Sequence, residues 1–392
     1  MVLKGIRVLD FGRYISGPLC GCMLADLGAE VIRVEKVSGS EDRYLIPVDD
    51  NGDGAIFLHL NRNKLGMTLN PMKPDARNVM ARLVASADII IANLPQESLL
   101  QMGLDYDTLR SYKPDIILVS SSAFGSKGPY ANRTGFDGVG QSMCGNAYLS
   151  GDPDKPSKSF ATWVDYSTAL FAFSGTMAAL MHKGITGEGQ VVETSLLRSA
   201  LMVFHHNNME QYLTKVNRTA TQNRSPIAGP GDIFETRDGH IILNVIGQPL
   251  FERWARMIGE EHWISDPRFS TDENRGNNAE ILSERTQAWV GQYTTEQVLA
   301  LLAEARIPAG PVLSPEQVFQ NPHIQQSGMM EMVDYPPAGR EVPMMPLPIS
   351  FSGLDTPIRM PPPQLGEHTG TIMRGLGFNQ DEIADLRSKR VI

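Results

Sequence analysis

Cysteine, long apolar runs and excess positive charge are all scarce in this chain of 392 residues. Three cysteines, Cys20, Cys22 and Cys144, are too few for a disulfide framework, which favours a reducing compartment and a cytoplasmic location. No apolar run reaches the roughly 18 residues that span a bilayer, and the N-terminal run is too short for a signal peptide. A formal net charge of −9 without a basic stripe argues against a nucleic-acid partner.

The rest of the composition is that of a soluble globular protein with one or more sizeable cores. Apolar residues make up 42% of the chain and charged residues 20%. A chain of this length is long enough for two or three domains.

The first 125 residues alternate between short apolar runs and stretches of helical length. The runs IRVLDF, EVIRVE and DIILVSSS are rich in β-branched residues, which is typical of buried strands. Such alternation predicts an α/β fold with a large, doubly wound parallel sheet. We predict strands at 6–11, 30–35, 87–93 and 115–122 and helices at 17–27, 75–86 and 95–112.

The remainder of the chain changes pattern more than once. A helix at 165–183 is predicted to end at Gly184, and 189–213 reads as a strand that leads into a long helix. Residues 217–231 are polar and rich in turn formers, which indicates a linker. Beyond it we predict a hairpin at 232–246, helices to about 305, a Pro-rich segment with short strands from 335 and a last helix near 380–389.

The loop after the first predicted strand resembles a dinucleotide-binding turn in its position alone. Its sequence, GRYISGP, lacks the G-x-G-x-x-G spacing. The bulky Tyr14 and Ile15 stand where a pyrophosphate needs bare backbone. A nicotinamide or flavin cofactor is therefore disfavoured, although a loop at this edge of a parallel sheet can hold another ligand.

Two further motifs are weak. The sequence GQSMCG places Cys144, and not glycine, two residues after Ser142, which disfavours a hydrolase nucleophile elbow. His206 and Glu210 have helical i,i+4 spacing but no third ligand, so we predict no metal site.

Asp165 is a carboxylate at the head of a long apolar helix. Its side chain has two compatible interpretations. It can cap the orphan N–H groups of the helix, or the positive helix terminus can keep it ionised as a nucleophile toward an activated acyl group.

Several stretches, taken in their order and spacing, resemble class III coenzyme A transferases, the CaiB–BaiF family. They include LKGIRVLDF, LADLGAEVIRVE, NRNK, DIIIAN, the GFD motif of Phe136 and Asp137, VDYSTALFAFSGTMAAL, TGEGQVVETSLL, PAGPV and LGEHT. Each motif alone is weak, but together they cover nearly the whole chain.

The resemblance implies an architecture. Family members combine a large α/β domain built from both chain ends with a smaller α+β middle domain, and two chains interlock as a homodimer. We therefore expect a large CoA-binding domain from 1–216, a linker at 217–231, a small domain at 232–330 and a return segment at 331–392 that completes the large domain.

The resemblance also implies a reaction without a permanently bound cofactor, in which acyl-CoA and a small carboxylic acid are the substrates. The family's catalytic aspartate falls on Asp165, which attacks the acyl-CoA thioester and forms first a mixed anhydride and then an aspartyl-CoA thioester. Asp137 matches an acidic position that some transferases use in the acceptor step, although a turn residue is an equal alternative.

Positions that contact CoA in the family fall on Tyr14, Ile15, Ser16, Lys36, Leu69, Asn93, Leu94 and Ser98. Gln101 departs from this pattern, because some relatives have an arginine there that binds phosphate. We expect the nearby cations Lys127 and Arg133 to compensate.

Racemases of the same family use a histidine at the position of Phe136, paired with the aspartate. A two-base racemase needs an acid and a base on opposite faces of the substrate, so this chain favours a transferase. An acyl-CoA isomerase and a CoA-binding protein without turnover remain the alternatives. Formyl-CoA and oxalate are not favoured, because the glycine-rich closing loop of that branch has only a thin counterpart in IAGPGD.

Overall fold

The computed structural model of the chain describes residues 1–50 and 52–392. Its strands are β1 Arg7–Asp10, β2 Glu30–Glu35, β3 Lys64–Thr68, β4 Ile89–Ala92, β5 Ile117–Ser122, β6 Gly151–Asp152, β7 Lys155–Pro156, β8 Val191–Ser195, β9 Gly231–Glu235, β10 His240–Asn244, β11 Ala309–Pro311, β12 Glu331–Tyr335 and β13 Arg340–Met344. Its α-helices are α1 Ser16–Asp26, α2 Ala55–Leu60, α3 Ala76–Ala85, α4 Gln96–Met102, α5 Tyr106–Tyr112, α6 Asp137–Met143, α7 Asn146–Leu149, α8 Trp163–Thr186, α9 Leu196–Thr214, α10 Gln248–Met257, α11 Asp272–Asn277, α12 Ala279–Val290, α13 Thr295–Glu304, α14 Pro315–Gln320, α15 Pro322–Gln326, α16 Thr369–Gly375 and α17 Gln380–Ser388.

Six parallel strands form the main sheet in the order β3-β2-β1-β4-β5-β8. The chain starts in the middle of this sheet, runs outward through β2 and β3, and returns to β4 beside β1. Ligands of doubly wound proteins bind outside the carboxyl ends of the strands, at the point where the strand order reverses. The predicted α/β class with a large parallel sheet is confirmed, and its switch point lies between β1 and β4.

Both faces of the main sheet are covered, because its strands are apolar on both sides. Leu9 and Ile90 lie on one face, in an apolar cluster with α3, α4, α5, α16 and α17. Val8 and Ile89 lie on the opposite face, in a second cluster with α1 and α8. Helices on both sides of the sheet give three layers, and they hold the loops at the carboxyl ends of the strands in place.

The contacts within the chain divide it into two compact units. The first contains Met1–Cys144, Ser159–Met209 and Gln325–Ile392, and the second contains Gly145–Lys158 and Glu210–Ile324. The first unit therefore draws on both ends of the chain. Its bounds differ from the predicted domain bounds, because residues 145–158 and the whole segment 217–231 belong to the second unit.

The second unit has an antiparallel sheet of β9, β10 and β11. The predicted hairpin at 232–246 is present as β9 and β10. The core on this sheet combines aliphatic side chains with large aromatic ones, among them Phe251 and Trp254 from α10 and Trp289 from α12.

Two predicted helices differ from those observed. The single helix expected at 95–112 is two helices, because Gly103 adopts φ 67° at the end of α4 and stops it. The helix expected to end at Gly184 continues to Thr186 and ends at Gly187, which has φ 76°. A glycine inside an apolar helix is tolerated, and only the glycine with left-handed backbone ends the helix.

Candidate active site

Asp165 lies in the first turn of α8, as its third residue. Its side chain is half-buried. The residue before the helix, Thr162, holds the N-cap position, but its side chain makes no capping hydrogen bond. The interpretation of Asp165 as the N-cap of its own helix is therefore wrong, because Thr162 holds the N-cap position.

Asp137 supplies the cap from a distant part of the sequence. Its Oδ2 accepts hydrogen bonds from the backbone N–H groups of Val164, at 2.8 Å, and Asp165, at 3.2 Å. Asp137 is the first residue of α6 and is almost fully buried. The Asp137 carboxylate therefore binds the positive N-terminus of α8, next to the backbone of Asp165.

Gln141 fixes the segment that leads into α8. Its Nε2 donates to the second oxygen of Asp137 at 2.5 Å and to the carbonyl of Ala161 at 3.3 Å, while its Oε1 accepts from the N–H of Ser159 at 2.8 Å. The Gln141 side chain is fully buried. A side chain bonded at three points in this way holds both Asp137 and the entry to α8 in one geometry.

Helices α6 and α8 also approach closely at this point. A Cβ atom placed on Gly140 would lie 2.8 Å from Cγ1 of Val164, so only glycine lets the two backbones come together. The D-G-V-G-Q sequence of α6 therefore brings the cap, the close approach and the clamping glutamine into one turn of helix.

Burial and, secondarily, the negative charge of Asp137 raise the pKa of Asp165 from 3.8 to about 7. Near neutral pH Asp165 therefore exists in both its protonated and its ionised form. We expected the helix terminus to keep this group ionised, but Asp137 occupies the N–H groups of that terminus and adds a like charge. A carboxylate that titrates near pH 7 is typical of functional sites.

The loop between β1 and α1 is fixed by Asn93, the residue that follows β4. Its Oδ1 accepts from the N–H of Arg13 at 2.6 Å, and its Nδ2 donates to the carbonyl of Arg13 at 2.7 Å and to Oγ of Ser16 at 3.0 Å. Gly12 and Gly17 are required because a Cβ on either would lie within 3 Å of the other's Cα. Of the predicted CoA contacts, Ser16 and Asn93 thus meet at the switch point of the sheet.

Tyr14 connects this loop to the carboxylate pair. Its backbone has φ 60°, a left-handed conformation that is uncommon for a side chain of this size. Its ring packs edge-on against the exposed ring of Phe136, with 5.4 Å between the centroids. Phe136 directly precedes Asp137, so the predicted first-loop residues and the predicted catalytic carboxylates lie in one continuous region.

A cavity of about 510 Å³ opens beside the same loop, at the carboxyl ends of β1, β2 and β3. Its wall includes the predicted residues Lys36 and Leu69. It also includes the cations Arg13, Lys73 and Arg390, which the sequence analysis missed. Asp165 is not part of this wall, so the cavity and the carboxylate pair are separate features on either side of the first loop.

The other predicted contacts are dispersed. Leu94 is buried in the apolar core, and Ser98 is half-buried in α4. Lys127 and Arg133 are exposed and outside the cavity wall, with the Arg133 guanidinium 4.0 Å from the centre of the Tyr130 ring. Ile15 is buried in the cluster of α1 and α8. The structure therefore does not bring Lys127 and Arg133 to the cavity.

A buried ion network supports the loop from below. Lys64 Nζ donates to Asp10 at 2.7 Å, to the carbonyl of Pro18 at 2.7 Å and to Asn61 at 2.9 Å. Asp10 in turn accepts from the N–H of Gly12 at 2.8 Å. Burial opposes the ionisation of Asp10, but Lys64 and Arg33 hold its pKa below the usual value.

The two weak sequence motifs, and the cysteines of α1, have ordinary structural surroundings. Burial raises the pKa of Cys20 and of Cys22 to about 12, so neither is a thiolate near neutral pH. Ser142 donates to the carbonyl of Gly138 at 2.8 Å. Glu210 accepts two bonds from Arg218, each of 2.6 Å. Within residues 1–50 and 52–392, no group of three or more His, Cys, Asp or Glu side chains is arranged to hold a metal ion.

Comparison with known proteins defines the class to which this chain belongs. Residues 3–369 match CoA-transferase family III, so the chain belongs to the class III CoA-transferases and is an enzyme of that class. It is 31% identical to the succinyl-CoA–D-citramalate CoA-transferase of Chloroflexus aurantiacus over all of this chain and 98% of the relative. It is 32% identical to the succinate–glutarate CoA-transferase of Agrobacterium fabrum, over 95% of both chains.

A solved structure shares the fold. The CaiB/BaiF family protein from Brucella suis superimposes with a TM-score of 0.83 and 31% identity, over 95% of this chain and 99% of that chain. No helix in the described part of the chain is both long and apolar enough to span a membrane.

Proposed function

We propose that this protein transfers CoA from an acyl-CoA to a carboxylic acid, with Asp165 as the covalent nucleophile. The observation that supports this assignment is the half-buried Asp165, whose pKa near 7 arises from burial and from Asp137. Such a carboxylate is weakly solvated and available as a nucleophile at neutral pH.

In the first half-reaction, an ionised Asp165 oxygen attacks the thioester carbonyl. The C–S bond breaks, CoA leaves as thiolate, and a mixed anhydride of Asp165 and the donor acid forms. The thiolate then attacks Cγ of Asp165 and expels the donor acid as its carboxylate. The product is an aspartyl-CoA thioester.

The second half-reaction runs this sequence in reverse. The acceptor carboxylate attacks Cγ of the aspartyl thioester and displaces CoA thiolate, and the thiolate attacks the acceptor acyl carbon and releases Asp165. One carboxylate enters for each carboxylate that leaves, so no proton and no ATP is consumed. The fixed position of Asp165 supplies the proximity that such an exchange needs.

CoA is proposed to lie along the first loop. Its nucleotide end occupies the cavity lined by Lys36 and Leu69. Its pantetheine arm passes the loop of Tyr14 and Ser16, which contacts Phe136, and the thioester then reaches Asp165. This path follows the switch point of the sheet, where doubly wound proteins bind their ligands.

A short dicarboxylic acyl-CoA is our proposed donor. Both curated relatives reported above carry succinyl-CoA or succinate in their names, paired with another dicarboxylic acid. Succinyl-CoA with glutarate or citramalate as acceptor is therefore the first combination to assay.

The active enzyme is proposed to be a cytoplasmic, interlocked homodimer. Met181 and Ile185 of α8 and Met202 of α9 are each more than two thirds exposed. Large apolar side chains in such numbers on long helices favour burial against a second chain. Sedimentation at micromolar concentration distinguishes a dimer from a monomer.

Trapping the intermediate tests the function. The protein is incubated with succinyl-CoA, quenched, and treated with hydroxylamine or borohydride before peptide mass spectrometry. We expect a hydroxamate or a reduced side chain at Asp165, and transfer that falls by about 10³-fold or more in Asp165→Ala. Asp107→Ala, which removes an exposed aspartate from the first turn of α5, is the control and should leave transfer intact.

A protein that binds CoA but gives no adduct with any acyl-CoA would contradict the covalent route. Solvent deuterium incorporated at the α-carbon of a 2-methylacyl-CoA, without any acid acceptor, would instead identify an isomerase. CoA binding with neither result would identify a protein without turnover.

A further inference from the structure

Arg390 stands in a backbone position that usually belongs to glycine. It follows α17 with φ 55°, in a helix end where Val391 N–H bonds to the carbonyl of Leu386 at 2.9 Å and Arg390 N–H to that of Arg387 at 2.8 Å. Helices that end in this way favour glycine at this position. Helix α16 has the same ending with Gly377, at φ 83°. Arg390 therefore carries a backbone strain that glycine would remove.

The chain on both sides of Arg390 is attached to the loop after β3. The ammonium group of Lys73 donates to the carbonyl of Lys389. The N–H of Asn70 donates to the carbonyl of Val391 at 2.7 Å. Asn70 and Lys73 themselves line the cavity, so the tail is held against the cavity wall and Arg390 is placed in that wall.

The charges of the cavity leave Arg390 without a protein partner. Arg13 and Lys36 both pair with Glu41, and the only acidic residue of the wall, Glu35, is bonded to a buried arginine. Across residues 1–50 and 52–392, the Arg390 guanidinium makes no side-chain hydrogen bond or ion pair. A guanidinium without a partner in a pocket with a cationic excess is suited to phosphate.

We propose that Arg390 binds a phosphate group at the nucleotide end of CoA. This inference rests on the proposed function and adds a residue to its binding site. It also supplies a cation for the phosphate, which Gln101 cannot do because its side chain is uncharged. Gln101 is exposed, bonds to Glu97 at 3.3 Å and lies outside the cavity wall, and Arg390 supplies the charge from the other end of the chain.

Calorimetric titration of the full-length protein with CoA tests the proposal. Arg390→Gly removes the charge and the backbone strain together, so its Tm should change little while the dissociation constant for CoA rises about tenfold or more. Arg390→Lys keeps the charge and should lose less affinity for CoA than Arg390→Gly. Arg390→Asn, whose side chain also tolerates left-handed backbone, replaces the glycine variant if that variant folds poorly.

Arg306 offers a matched control. Arg306 follows α13, and its backbone has φ 53°. The N–H of Ile307 bonds to the carbonyl of Leu302, so the helix ends in the same motif as α17. It does not line the cavity. Arg306→Gly should therefore leave the dissociation constant for CoA unchanged, whereas a matching loss in both glycine variants would show a general effect on the fold and overturn the proposal.

Two shortened ligands identify the phosphate. If Arg390 binds the 3′-phosphate, dephospho-CoA should bind wild type and Arg390→Gly equally. If it binds the pyrophosphate, the difference should persist with dephospho-CoA and vanish with pantetheine. Equal affinity of both proteins for CoA would overturn the proposal for Arg390. A wild type that binds no CoA would instead contradict the proposed function, and this inference with it.

Discussion

Two buried groups of carboxylates in this protein are treated in opposite ways. Beneath the first loop, Asp10 lies between Lys64 and Arg33, and Glu35 is bonded to Arg43 at 2.6 Å. At the head of α8, Asp137 accepts the backbone N–H of Asp165, and burial and Asp137, not a cation, shift the pKa of Asp165. The first group holds the pKa of Asp10 low, whereas the second raises the pKa of Asp165 to about 7.

The difference distinguishes Asp10, a structural carboxylate, from Asp165, the proposed nucleophile. A buried carboxylate with a cation at hydrogen-bond distance is ionised and fixed, and it serves to position the backbone around it. A carboxylate that meets only burial and a like charge is destabilised as an anion. The protein tolerates that penalty at the carboxylate that we propose for chemistry, whereas Lys64 and Arg33 offset it at Asp10, which holds the loop after β1.

Removing the Lys64 cation should make Asp10 resemble Asp165, as a carboxylate whose burial is not sufficiently offset by positive charge. Lys64→Met leaves Asp10 with a buried charge that only Arg33 opposes, so we expect the free energy of unfolding to fall by roughly 3–5 kcal/mol. Urea denaturation measures this change. Arg7→Met, which breaks the exposed pair with Glu30, should cost less than about 1 kcal/mol. Similar small losses in both variants would show that the buried cation does not stabilise Asp10 more than an exposed pair stabilises Glu30.

Removing the charge from the reactive site should stabilise the protein. Because the folded state raises the pKa of Asp165, its ionisation costs stability progressively from about pH 4 to pH 7 and fully above pH 7. A shift of this size corresponds to about 4 kcal/mol, and partial exposure reduces our expectation to about 2 kcal/mol. Asp165→Asn should therefore be more stable than wild type at pH 8 and equal to it near pH 4.

Thermal unfolding across this pH range measures the difference between the two proteins. A stability gain that is the same at pH 4 and pH 8 would mean that the titration of Asp165 is not its source.

The smallest expected effect is that of removing the charge of Asp137, which should shift the pH profile of transfer. Transfer activity of wild type should decline below about pH 7, as Asp165 becomes protonated. Asp137→Asn keeps an oxygen that can accept the Val164 N–H but loses the charge, so the acidic limb of the kcat/KM profile should move to lower pH. A profile that keeps its midpoint while activity falls would assign Asp137 a role in catalysis beyond its charge.

Most of the parallel sheet could be predicted from the sequence because β1, β2, β4 and β5 are local apolar runs, whereas the edge strand β3, with the sequence KLGMT, is not such a run and was missed. Asp165 was found through the family resemblance, and its position in a helix followed from the apolar pattern after it. Its partnership with Asp137 was not predictable, because the two residues are 28 positions apart and a cap from another helix leaves no local pattern. Gln141 was missed for the same reason, since a buried glutamine has no signal of its own.

Arg390 was also beyond prediction, because its helix end has the sequence of an ordinary charged surface. A basic residue near the end of a helix is usually read as a partner of the helix dipole. Only the folded chain shows that this residue adopts left-handed backbone beside a cavity.

The cavity wall combines residues that are far apart in the sequence, which determines when it can form during synthesis. β3 is at the edge of the main sheet, and Thr68 at its end bonds to Thr369, 301 positions later. The loop that follows β3 is closed by the segment around Val391. As the ribosome delivers the chain from its N-terminus, most of the main sheet can form early. The cavity, however, is complete only once the chain has been made as far as Val391, so a polypeptide that stops earlier would lack part of the cavity wall.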